Sequence, residues 1–75
     1  MNKTEFLQKF IEQFEDTDAS EITMDCKFRE LDEWSSLVAL GVIAFVRTSY
    51  GKALNATEMR SCETVEDLYN LVFSK

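Results

Sequence analysis

Seventy-five residues without proline, with two glycines and 45% apolar content, make one small helix-favouring domain and leave no room for a second module. A net charge of −6 excludes ordinary nucleic-acid binding, which needs clustered Lys and Arg to displace counterions from phosphates, and points to basic partners instead. The absence of histidine excludes His-based hydrolytic triads, no Gly-rich phosphate loop occurs, and the longest apolar run, residues 37–46, is too short for membrane insertion.

The first helix is predicted from Thr4 to about Phe14. Phe6, Phe10 and Phe14 recur every four residues with Leu7 and Ile11 beside them, which puts five large apolar side chains on one face. Asn2 and Glu5 have the spacing of a capping box at its start, and Lys9, Glu12 and Gln13 form a solvated face. Residues 15–34 then lose periodicity and gather Asp16, Thr17, Asp18, Ser20 and Asp25, so a long loop is expected there, pinned by Ile22, Phe28, Leu31 and Trp34. Trp34 reads as a core anchor.

The second helix should begin at Ser35 or Ser36 and end near Tyr50-Gly51, where glycine can take the left-handed conformation that closes a helix. At about 100° per residue, Val38, Val42 and Phe45 cannot share a face with Leu37, Leu40 and Ala44. Such a helix is either buried on more than one side or presents an apolar patch to a partner. Asn55 and Glu58 repeat the capping-box spacing and open a short third helix ending near Cys62. Thr64-Val65-Glu66-Asp67 opens the last helix, with Val65, Leu68, Tyr69 and Val72 as its buried stripe. We therefore expect an all-α fold, a small four-helix bundle of three main helices plus a short third one. Residues 1–75 are expected to be a single free-standing domain, with no repeat and no linker.

Charge is divided unevenly. Residues 1–34 hold ten acids against four bases, and residues 35–75 hold four of each, so the excess acid precedes Ser36. Glu12, Glu15 and Asp16, or Glu30, Asp32 and Glu33, lack the spacing and glycine of a calcium loop. Cys26 and Cys62 match no metal-ligand spacing and are expected as reduced thiols. No metal site and no catalytic residue is expected.

One segment carries chemistry. Phe28-Arg29-Glu30-Leu31-Asp32-Glu33-Trp34-Ser35-Ser36-Leu37 runs straight into the apolar helix, placing a serine hydroxyl at a helix start. Unpaired backbone N–H groups and the positive end of the helix dipole there favour an attached phosphate. This pattern resembles the acyl carrier protein family, whose signature is a Phe and a Leu followed by Asp-Ser-Leu at the start of the second helix. Ser36 matches the attachment serine, and Ser35 stands where the family usually has aspartate. The resemblance extends along the chain: Tyr50-Gly51-Lys52-Ala53-Leu54 is similar to the family's exit from helix two, and Thr64-Val65-Glu66-Asp67-Leu68 to the start of its final helix.

The resemblance implies a bundle of acyl-carrier type and a covalent 4'-phosphopantetheine arm on Ser36, supplied from coenzyme A by a phosphopantetheinyl transferase. The arm's thiol would carry acyl intermediates, of fatty-acid, polyketide or aminoacyl type, as thioesters between acyl-loading and condensing enzymes. The chain itself would catalyse nothing, and would act as a cytoplasmic monomer. The family's acidic second-helix face is missing here: Arg47, Thr48 and Ser49 replace the later acids. Partner docking is therefore expected through Glu30, Asp32 and Glu33 together with apolar Leu37, Val38 and Val42. The competing readings are that Val38 and Val42 are core residues, that Ser36 is a helix cap, and that the chain is an unmodified adaptor binding a protein through this helix.

Overall fold

The computed structural model describes residues 2–75. Four α-helices, α1 (Lys3–Ile11), α2 (Ser36–Tyr50), α3 (Ala56–Arg60) and α4 (Val65–Phe73), occupy the chain, and no strand occurs among the described residues. Each start obeys a local rule. The Asn2 side chain accepts from the amides of Thr4 and Glu5 at α1. A reciprocal capping box forms between Asn55 and Glu58 at α3, as their spacing predicts, and another between Thr64 and Asp67 at the predicted start of α4. Gly51, at φ 65°, closes α2 in the left-handed conformation.

The α1 helix is shorter than its sequence pattern. It ends at Ile11, and the amides of Gln13 and Phe14 turn back to the carbonyls of Phe10 and Ile11 in tighter three-residue bonds. That tightening carries Phe14 out of the helix but not out of the core, because it lands against Trp34 with ring centroids 6.3 Å apart.

Aromatic rings join the elements in two clusters, each centred on one phenylalanine of α1. Phe6 meets Phe45 and Tyr50 near the end of α2, and Tyr69 and Phe73 near the end of α4. Phe10 meets Phe14, Phe28 and Trp34. The start of α1 therefore lies against the C-terminal ends of α2 and α4, and its end lies against the loop that leads into α2. Phe6 and Phe10 have no exposed surface, and burial of each contributes on the order of 1.5–3 kcal/mol.

The segment between α1 and α2 is ordered by contacts rather than by periodicity. It contains two single turns of 3₁₀ helix, Ala19–Glu21 and Phe28–Glu30, and buries Ile22 and Phe28 as predicted pins. Its carbonyls at Met24 and Cys26 accept the amides of Glu66 and Val65 at 2.9 and 3.1 Å, which satisfies the open N–H groups of the first turn of α4. Lys27 pairs with Glu63, and Arg29 Nε donates to the Cys62 carbonyl at 3.2 Å. The segment is thus tied to the α3–α4 corner on one side and to α1 on the other.

Candidate functional site

Ser36 is the first residue of α2 and is exposed. The two adjacent serines divide their work. Ser35, in extended conformation, is the cap: its Oγ accepts the Val38 amide at 3.4 Å and its carbonyl accepts the Ala39 amide at 2.9 Å. The Ser36 hydroxyl makes no such bond among the described residues and projects from the first turn. The amides of Ser36 and Leu37, which have no helical acceptor by position, find none among the described residues. The start of α2 differs in this from the start of α4, whose first three amides are all taken. An anion bonded to Ser36 Oγ would meet two free donors and the positive end of a fifteen-residue helix.

Beside the serines lies a groove of about 490 Å³, within the range of small-ligand sites. Trp34, Ala39, Leu40, Ile43, Ala56 and Met59 supply its apolar wall, Ser35 and Ser36 one edge, and Arg29 and Arg60 its charged groups. It runs between α2 and α3, with the indole of Trp34 at the junction. Trp34 therefore has two roles: its ring packs 4.9 Å from that of Phe28 in the core cluster, and it also faces the groove.

The two apolar stripes of α2 separate cleanly. Val42 has no exposed surface and Val38 only 9%, alongside buried Phe45 and Val46, while Leu37 is 78% and Leu40 62% exposed. Of the apolar residues expected to meet a partner, Leu37 is available and Val42 and Val38 are core residues. The reason is rotational: the Phe6 contact with Phe45 turns that stripe toward α1, and the Leu37, Leu40 and Ala44 stripe then points outward. Leu40 is the exposed residue that periodicity did not distinguish, since both stripes are equally apolar.

The expected acidic contacts also divide. Glu30 and Asp32 are exposed. Glu33 is turned inward to the chain: its two oxygens accept the amides of Glu15, Asp16 and Thr17 and the Thr17 hydroxyl, at 2.6 to 3.0 Å. These bonds, the Thr17 hydroxyl foremost, lower the Glu33 pKa below its ordinary value of 4.5. Glu33 holds the approach to α2, and a partner would have to displace four hydrogen bonds to use it.

Both cysteines are free, and desolvation raises each thiol above its ordinary pKa, so neither is an activated nucleophile. Among the described residues no group of three or more His, Cys, Asp or Glu could hold a metal ion, and no helix is long and apolar enough to cross a membrane. No protein-family model, curated protein or solved structure matches the chain.

Proposed function

We propose that this chain is an acyl carrier protein that bears 4'-phosphopantetheine on Ser36 and delivers acyl thioesters, including polyketide-type intermediates, to separate cytoplasmic enzymes. The observation that carries the reading is Ser36 itself: an exposed hydroxyl and two neighbouring amides with no partner among the described residues, on the lining of an apolar groove. A phosphopantetheinyl transferase would direct Ser36 Oγ at the pantetheine-side phosphorus of coenzyme A. The new P–O bond replaces the pyrophosphate bond, adenosine bisphosphate leaves, and the hydroxyl proton passes to a base on the transferase. Acyl-loading and condensing enzymes would then meet the exposed Leu37 and Leu40 beside the arm, with Glu30 and Asp32 offered to basic side chains.

The test is intact mass after incubation with coenzyme A and a broad-specificity phosphopantetheinyl transferase. Wild type and Ser35→Ala should each gain one arm, and Ser36→Ala none. The exposed Leu37 and Leu40 also favour a second reading, an unmodified adaptor that binds a protein through this face. A cooperatively folded wild type that gains no arm but associates with concentration would support it.

A further inference from the structure

We propose that the groove beside Ser36 receives an acyl chain whose far end bears a carboxylate, held by Arg29 and Arg60; the inference rests on the carrier reading above. Although the chain holds 14 Asp and Glu against 8 Lys and Arg, the only ionised groups among the described residues that line this groove are the two guanidiniums. Neither guanidinium has a carboxylate partner among the described residues, whose ion pairs are Lys27 with Glu63 and Lys75 with Glu58.

Each is anchored in a way that leaves donors open. Arg29 spends its Nε on the Cys62 carbonyl, at 3.2 Å, which fixes the root of the fork. Arg60 makes one long bond to Thr57 Oγ1 at 3.4 Å, within its own helix. A carboxylate accepts the remaining N–H groups in the bidentate geometry that guanidinium favours. The rest of the groove accepts methylenes, since Ala39, Leu40, Ile43, Ala56 and Met59 are all apolar.

The phosphodiester of the arm is a poorer occupant of the arginines, because it forms at Ser36 Oγ, where the Ser36 and Leu37 amides already offer donors. A second cavity, lined in part by Asp16, Glu21, Asp32 and Glu33, repels the same cargo. Both arginines are exposed, so the preference is salt-sensitive.

The experiment loads Ser36 from three coenzyme A donors carrying no acyl group, a six-carbon acyl group ending in methyl, or a six-carbon acyl group ending in carboxylate. Intact mass verifies each product, and melting temperature is compared in wild type, Arg60→Gln and Arg29→Gln/Arg60→Gln. Arg60→Gln is the safer variant, since the Arg60 side chain's bond among the described residues, to Thr57, stays within α3. The carboxylate cargo should raise the melting temperature by about 4 °C more than the methyl cargo. That difference should shrink in Arg60→Gln, vanish in the double variant, and fall at 1 M salt. Trp34, the one tryptophan, lines the groove and should change its fluorescence with the carboxylate cargo. Equal melting temperatures for the two cargoes would overturn the proposal. So would an arginine-dependent shift already complete with the bare arm, which would assign the cations to the phosphodiester. If no arm attaches at all, the carrier reading fails and the inference falls with it.

Discussion

Glu33 and Thr17 stand 16 residues apart in sequence, yet the Glu33 carboxylate accepts both the hydroxyl and the amide of Thr17, at 2.6 and 2.8 Å. The same carboxylate takes the amides of Glu15 and Asp16. Three consecutive amides just past α1 are thereby closed by a residue two positions before Ser35. The clamp ties the end of α1 to the start of α2, and so fixes where the candidate attachment serine emerges.

Glu33→Gln should loosen this clamp and flatten the acid dependence of stability. The amide retains one acceptor oxygen and turns an NH₂ toward a backbone donor, so at least one bond becomes a donor–donor conflict. The sign of the pH effect follows from the lowered pKa of Glu33. Its stabilisation is complete above the ordinary value of 4.5 and is lost as pH falls through the lowered folded-state value. Melting curves between pH 3 and 7 should show wild type above the variant at neutral pH and converging on it in acid. Parallel curves would mean the bonds contribute nothing that depends on charge.

The serine pair should separate stability from modification. Ser35→Ala removes the α2 cap and should cost about 0.5–1 kcal/mol, the low side of the usual range because its bond to the Val38 amide is 3.4 Å long. Ser36→Ala should leave urea unfolding within about 0.5 kcal/mol of wild type, since the side chain is exposed and bonds to nothing among the described residues. A large loss of stability in Ser36→Ala would return that residue to the role of a cap.

Local signals carried most of the helix boundaries. Asn55 with Glu58, Thr64 with Asp67, and Gly51 after Tyr50 each act over a few residues, and each is where the sequence pattern puts it. The order of residues 15–35 was not legible, because its bonds join residues sixteen to eighteen apart or reach across to α4, and no periodicity marks such pairs. The end of α1 was overrun because Phe14 continues the spacing of Phe6 and Phe10 while its backbone has left the helix. At the candidate site, Ser36 was legible as a helix-threshold hydroxyl. The groove was not, since Arg29, Leu40 and Arg60 come from three segments that only the packed bundle brings together.

The two stripes of α2 should respond oppositely to truncation. Val42→Ala removes buried methyl groups and should cost about 2 kcal/mol in urea unfolding. Leu37→Ala and Leu40→Ala should change stability by less than about 0.5 kcal/mol; under the proposed carrier function they should also weaken acyl transfer to a partner enzyme, read as a raised KM for the arm-bearing, acylated protein. If Val42→Ala raises KM as much as Leu40→Ala at equal folded fraction, partner recognition depends on the core-facing stripe and the outward assignment is wrong.

The two glycines should separate backbone strain from crowding. At Gly51 there is open space around an added Cβ, but φ is 65°, so Gly51→Ala should cost about 1 kcal/mol through conformation alone. At Gly41 the backbone is ordinary helix, where alanine is favoured by about 0.5–1 kcal/mol, but the new Cβ would lie 2.5 Å from Gln13 Oε1. The Gln13 side chain must swing away, giving up its 3.1 Å bond to the Lys9 carbonyl. Gain and loss nearly cancel, so Gly41→Ala alone should shift stability by less than about 0.5 kcal/mol. In a Gln13→Ala background the obstruction is gone, and the same substitution should stabilise by the full helix preference, a coupling of about 0.5 kcal/mol in a double-mutant cycle. A loss above about 1.5 kcal/mol in the single variant would show that the Gln13 side chain cannot give way to the new Cβ.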